Sequence, residues 1–274
     1  MNPRWRNLIK ACTPSLLRRG FHAWRGRGWF RGNYKTWAEA LRRAGGYDDE
    51  RIVATVLEST LAVRDGRAAF ERDGVTFPEP LAEPGLEAAL EVIARATGGR
   101  LRVLDFGGAL GSTYWRHRAW LGTLSEVRWD VVEQPRFVAA GREHLRGAAV
   151  RFFESVELAG GAASHDVLLA STTLQYLEDP LAALRSWRTQ KFRWLLFNNL
   201  PLHRGAPDRI AVQNVPPEIY PASYPVWFFN RERFLVELAG DYRVVSEFAS
   251  EAVWPVGWRR YPSTGLLLER RTSA

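Results

Sequence analysis

From residue 86 onward, short apolar runs alternate with stretches in which apolar positions recur every three or four residues. The runs predict strands at residues 102–106, 128–133, 150–153, 166–170 and 193–197. The helical spacing predicts helices at 87–96, 112–121, 136–145 and 180–187. After a further helix around 231–239, strands are expected at 242–248 and 265–269. Strands alternating with helices wind a sheet covered on both faces, so the expected fold class is α/β: a doubly wound, mostly parallel sheet of seven strands. The ligand site of such a sheet lies beyond the carboxyl ends of its first strands.

Upstream, Asp48 and Asp49 offer a helix start, and Ile52, Val53, Val56, Leu57 and Leu61 follow at helical spacing. This predicts an amphipathic helix ending near Asp73-Gly74. Residues 76–85 hold Pro78, Pro80 and Pro84 and read as an extended connector. The chain therefore divides into an arm (1–35), a helical extension with its connector (36–85) and a main domain (86–274). Within the last, residues 201–229 are too long and proline-rich for a simple connection and too aromatic for disorder, so a lid is expected there.

The first strand of the main domain ends in Val103-Leu104-Asp105-Phe106-Gly107-Gly108-Ala109-Leu110-Gly111. Gly107, Gly108, Ala109 and Gly111 let backbone amides approach a ligand closely, and a helix N-terminus follows. A tight turn of this kind also arises for packing reasons alone. A dinucleotide loop wants glycine at its first, third and sixth positions. Here those positions are Gly107, Ala109 and Ser112, and Asp105 would face the phosphates. A ligand with no phosphate, one carboxylate and one ammonium group removes that conflict. S-adenosylmethionine is such a ligand, with Asp105 toward its ammonium group, directly or through water. Glu133, ending the second strand beside Gln134, suits two ribose hydroxyls. Glu154 after the third strand can accept from an adenine amino group, and Ser171 ends the fourth strand at the same edge.

The acceptor side is less legible. Residues 171–175 lie where the transferred methyl would sit. His203 is a candidate base, Gln213, Tyr220 and Tyr224 can orient a hydroxyl or carboxylate, and Gln175 is a further catalytic candidate; a solvated histidine and packed aromatics are the plain alternatives. Arg204 and Arg209 can meet an anionic sugar nucleotide or lipid phosphate. Two other functions share this pattern. One is a nicotinamide-dependent oxidoreductase, against which Ala109 and Ser112 argue. The other is a degenerate fold that binds a partner without turnover.

Charge changes the picture only at the start of the chain. The net charge of +8 comes almost wholly from arginine, since Lys10, Lys35 and Lys191 are the only lysines. Basic residues run from Arg4 to Lys35 with no acid before Glu39, interleaved with Trp5, Phe21, Trp24, Trp29 and Phe30. Such an arm can pack back on the domain or lie on an anionic membrane surface. Nucleic acid is disfavoured, because the basic residues concentrate in the arm and residues 171–175 lack the proline-containing Asp or Asn motif of amino-directed DNA methyltransferases. No apolar stretch is long enough for a secretory signal or a membrane span. A cytoplasmic location is expected, with peripheral contact at the inner membrane surface through residues 1–35. The single Cys12 forms no internal disulfide, and the five histidines are scattered, so no metal site is expected.

Several stretches carry a resemblance: Gly46-Tyr47-Asp48, Phe70-Glu71-Arg72-Asp73, Phe106 to Ser112, Val132-Glu133-Gln134-Pro135, Leu174-Gln175-Tyr176-Leu177-Glu178-Asp179-Pro180, Val212-Gln213-Asn214-Val215-Pro216-Pro217 and Ser223-Tyr224-Pro225. By these the chain resembles a family of S-adenosylmethionine-dependent methyltransferases of the class I fold, associated with bacterial surface-polysaccharide gene clusters. The resemblance implies methyl transfer at oxygen to a small hydroxylated acceptor, a sugar or glycan intermediate. One departure stands out. Asn198-Asn199-Leu200 replaces a charged Asp-Arg-Thr-like stretch after the fifth strand, and this bears on acceptor choice and activity.

Overall fold

In the computed structural model, which describes residues 29–47, 49–145, 149–215, 222–256 and 259–271, the alternating half of the chain forms the expected layers. Before it come β1 (Phe30–Tyr34), α1 (Trp37–Leu41), β2 (Gly46–Tyr47), α2 (Asp49–Arg64) and a hairpin of β3 (Phe70–Arg72) and β4 (Val75–Phe77). α3 (Pro84–Ala96) leads into β5 (Arg100–Phe106), α4 (Ser112–Leu121), β6 (Glu126–Val132), α5 (Pro135–His144) and β7 (Val150–Phe153). Next are α6 (Gly161–Ser164), β8 (Val167–Ser171), α7 (Pro180–Gln190) and β9 (Trp194–His203). The described chain closes with β10 (Arg209–Val215), β11 (Ala222–Asn230), α8 (Arg231–Ala239), β12 (Tyr242–Val256) and β13 (Arg259–Arg270).

Seven strands line up in the order β7-β6-β5-β8-β9-β13-β12. β5 to β9 are mutually parallel, and β13 runs antiparallel to both of its neighbours. This is the doubly wound class I sheet. Its central strands read as continuous apolar runs because both faces are covered. Val103, Trp129 and Leu169 turn toward a layer that includes Leu90, Ile93 and Val138, while Leu104, Leu168 and Leu195 turn toward Leu184, Trp187 and Phe234. Val56 and Val63 of α2 belong to the first of these cores.

Two expectations upstream are corrected. α2 ends at Arg64, and Asp73-Gly74 is the turn of the β3–β4 hairpin. Both turn residues have positive φ (52° and 77°), the conformation that Asp-Gly favours in two-residue hairpins. Residues 75–77, expected within or beside a connector, pair with β3.

The larger correction lies at the carboxyl edge of the sheet. β9 continues six residues past Phe197, to His203, and β12 and β13 extend beyond the core in the same way. There β9 pairs with β11, β11 with β10, β10 with β1, β1 with β12, β12 with β13, and β13 with β9. Six strands thus close into a small barrel above the edge. Phe30, Ala211, Val226, Phe228, Trp254 and Tyr261 cluster inside it. Ile210 and Val212, alternating with Ala211, face outward against α1. Residues 209–215 and 222–230, expected as part of a loop-like lid, are barrel wall.

Candidate functional site

The site begins where β5 ends. Asp105 is completely buried, yet only one of its oxygens is satisfied: Trp129 Nε1 donates to Oδ2 at 2.9 Å, and Oδ1 has no hydrogen-bond partner. Burial pushes its carboxyl up to about 7, and the nearby Glu133 charge adds to the shift against the Trp129 hydrogen bond. The turn above is built around this side chain. A Cβ on Gly108 would come within 2.4 Å of the Asp105 carboxylate, and one on Gly107 within 2.2 Å of Thr173. Gly107, Ala109 and Gly111 all have positive φ, and for Ala109 (51°) that conformation costs roughly 1 kcal/mol.

Glu133 follows β6 and faces the same turn. Its carboxylate accepts the backbone N–H of Gln134 at 2.7 Å and that of Ala109. Burial nevertheless holds its pKa above the ordinary value. Gln134 starts α5 and is exposed. Glu154, one residue beyond β7, is also exposed, while Ser171 at the end of β8 accepts a hydrogen bond from Asn198 Nδ2 at 3.2 Å. The loop residues, Asp105 and Glu133 are therefore joined by direct contacts, and Glu154 and Ser171 flank them at the ends of the adjoining strands.

The expected acceptor residues separate into two places. Gln175 is fully buried on a 3-10 turn, its Nε2 at 3.5 Å from the Asn199 carbonyl and its Oε1 without a partner. Next to it, Tyr176 donates to Gln213 Oε1 at 2.7 Å and meets Tyr224 edge-on, with ring centroids 5.2 Å apart. Gln175, Tyr176, Gln213 and Tyr224 thus form one cluster where the barrel meets the sheet. His203 is elsewhere: it ends β9 against Tyr261 (5.2 Å between centroids), and both ring nitrogens are buried without partners. A loop base was expected, but the residue is part of the barrel wall. Tyr220 and the arm up to residue 28 lie outside the described residues. Arg204 is paired with Glu232 at 3.6 Å, and Arg209 donates to the Gly32 carbonyl.

Asn198 and Asn199 acquire a physical role. Both are buried, and Asn199 sits at φ 56°, where β9 leaves the core sheet for the barrel. Asparagine tolerates this left-handed conformation better than most residues. Ser250 Oγ donates to Asn198 Oδ1 (2.8 Å), Ser263 Oγ to Asn199 Oδ1 (3.2 Å), and Thr172 N to the Asn198 carbonyl (3.0 Å). Thr172 itself has φ 59°, a strained choice for a β-branched residue. The pair therefore ties the end of β8 to β12 and β13.

Sequence reasoning missed Trp129 and the hairpin residue Glu71. Glu71 is buried and accepts from Ser112 Oγ, at the first residue of α4, and from Gly74 N at 3.3 Å. Burial raises its pKa, against these hydrogen bonds and Arg72. Three carboxylates, Asp105, Glu133 and Glu71, therefore surround one glycine turn, each with a raised pKa. Phosphate would be repelled by such a set, whereas a group bearing ammonium and sulfonium charge suits it. Among the described residues there is no cluster of three or more acidic, histidine or cysteine side chains placed to hold a metal, and no helix long and apolar enough to cross a membrane.

No family model matches the chain, and no curated protein matches it significantly. Solved structures similar to it include a 1,6-didemethyltoxoflavin-N1-methyltransferase from Burkholderia thailandensis with bound S-adenosylhomocysteine (16% identity, 82% of this chain and 91% of that one, TM-score 0.44). A magnesium protoporphyrin IX methyltransferase from Synechocystis PCC 6803 with the same ligand matches at 16% identity (82% and 100%, TM-score 0.46). A S-adenosylmethionine-dependent methyltransferase from Clostridium acetobutylicum matches at 8% (69% and 92%, TM-score 0.47). At this level of likeness the activities of those proteins do not transfer to this chain.

Proposed function

We propose that this protein is an S-adenosylmethionine-dependent methyltransferase acting at a hydroxyl oxygen of a small acceptor, a sugar or glycan intermediate. The observation that carries the cofactor is the buried Asp105, with one oxygen unpartnered beneath a turn of small residues. A buried acceptor without a donor costs free energy that a ligand's ammonium group can recover. The resemblance of the sequence to methyltransferases of surface-polysaccharide clusters supports the reaction class and suggests the acceptor.

Bound at this turn, the cofactor supplies a methyl group on a sulfonium, already electrophilic. The protein's task is then largely alignment, which can supply roughly 7 to 11 kcal/mol of barrier reduction, whereas a general base typically adds about 10² to 10⁴-fold. Asp105 holds the amino-acid end and Glu133 the ribose hydroxyls. The cluster of Gln175, Tyr176, Gln213 and Tyr224, in which Tyr176 donates to Gln213 Oε1, would orient the acceptor hydroxyl. The apolar barrel excludes water from that side.

Calorimetry with S-adenosylmethionine and S-adenosylhomocysteine tests the cofactor reading. Binding by the wild type and its loss in Asp105→Ala and Glu133→Ala are expected; well-folded wild type that binds neither ligand would sink it. The acceptor is tested by turnover across extracted nucleotide sugars and lipid-linked glycans, with mass spectrometry locating the methyl group.

A further inference from the structure

The β3–β4 hairpin stands outside the sheet, yet it reaches the cofactor turn. Glu71 projects from β3 to the first residue of α4, where Ser112 Oγ donates to it, and Gly74 N of the hairpin turn donates to the same carboxylate at 3.3 Å. The hairpin is held there from two sides. Arg116 of α4 lies over the Phe70 ring at 4.5 Å and pairs with Glu83 at 2.8 Å, and a Cβ on Gly74 would come within 2.8 Å of Thr55 on α2.

This position has a chemical meaning. The start of a helix after a glycine turn is where a phosphate settles in dinucleotide folds, because the free N–H groups favour negative charge. Here the protein places its own carboxylate beside that helix end. Asp105, with its unpartnered oxygen, lies under Gly108 of the same turn. A ligand group that met both carboxylates would have to be cationic.

We infer that the hairpin is a wall of the cofactor site and that Glu71, together with Asp105, binds the ammonium group of the amino-acid end. The inference rests on the cofactor reading above. It assigns a binding role to residues 70–77, ahead of the main domain.

The test compares S-adenosylhomocysteine with 5′-methylthioadenosine, which lacks the amino-acid carboxylate and ammonium, by calorimetry on the full chain. Glu71→Gln should weaken S-adenosylhomocysteine about tenfold and leave methylthioadenosine unchanged. Ser112→Ala keeps the charge but removes the staple between hairpin and helix, and should preserve the preference for S-adenosylhomocysteine. An equal loss for both ligands, no loss, or a selective loss in Ser112→Ala as large as in Glu71→Gln would overturn the inference. If Glu71→Gln does not fold, Glu71→Asp, with the charge withdrawn by one methylene, should show the same selective loss on a smaller scale; an equal loss for both ligands overturns it. Wild type that binds neither ligand removes the cofactor reading itself, a result distinct from these.

Discussion

Asp105 and Asp130 lie on adjacent parallel strands, both completely buried, and their surroundings are opposite. Burial pushes both carboxyls up. At Asp130 this is outweighed by hydrogen bonds from His165 (2.9 Å), Arg151 (2.6 Å to Oδ2) and Arg128, and its pKa falls to about 2. At Asp105 only the Trp129 indole opposes burial, and the pKa rises to about 7. A buried acid with its cations in place is part of the scaffold. One without a cation, under a glycine turn, is the arrangement on which the proposed cofactor site rests.

The largest expected effect breaks the first half of this comparison. Asp130→Ala removes the hydrogen bonds from Arg128 and Arg151, which are partly exposed, and leaves the buried His165 Nε2 without its partner, and should lower stability by about 3 kcal/mol in denaturant unfolding. Cofactor affinity per folded molecule should not change. Because the folded pKa of Asp130 lies below its unfolded value, its stabilisation is present above about pH 4 and is lost as pH falls toward 2.

Asp105 should behave with the opposite sign. Its folded pKa is raised, so the native state holds the extra proton between about pH 4 and 7, and stability declines as pH rises through that window and stays low above it. Asp105→Asn keeps an acceptor for Trp129 and removes the charge. It should reduce this dependence and stabilise the ligand-free protein at pH 8 by at most roughly 2 kcal/mol, since the amide leaves an N–H unpaired where the carboxylate left an oxygen, while weakening S-adenosylhomocysteine. A variant that loses stability at pH 8 would mean that the carboxylate is structural.

A smaller effect sharpens the ligand side. Binding an ammonium group favours ionised Asp105, so S-adenosylhomocysteine affinity should fall by up to tenfold per pH unit below about 7 in the wild type. The profile of Asp105→Asn should be shallower over the same range, with Glu71 and Glu133, whose pKa values are also raised, as the remaining titrating carboxylates. The smallest effect tests the acceptor side: Asn199→Gly keeps the left-handed bend but loses the Ser263 contact, and should cost about 1 kcal/mol. Asn199→Val, which also opposes the backbone conformation, should cost distinctly more.

The two sides of the site differ in how far they could be read in advance. Asp105, the glycines and Glu133 stand within one strand-turn-helix-strand unit, so their types and spacing specify the local geometry and point to the proposed chemistry. The acceptor cluster draws Gln175, Gln213 and Tyr224 from three separate segments, and the barrel beside it joins residue 30 to residue 261. Apolar periodicity cannot say which strands pair across such distances. The turn chemistry of Asp73-Gly74 was a readable signal for the hairpin; what that hairpin touches was not.

The chain alone determined the doubly wound sheet, because alternating strand and helix periods admit few other ways to bury both faces, and it marked the turn where a cofactor would sit. Only the tertiary structure decided that Asp105 lacks a cation while Asp130 has two arginines, that residues 209–215 and 222–230 are barrel wall, and that Glu71 reaches the turn from a hairpin ahead of the core strands. The physical reason is the same in each case. Charge balance and strand closure are set by neighbours distant in sequence, and these come together only when the chain folds.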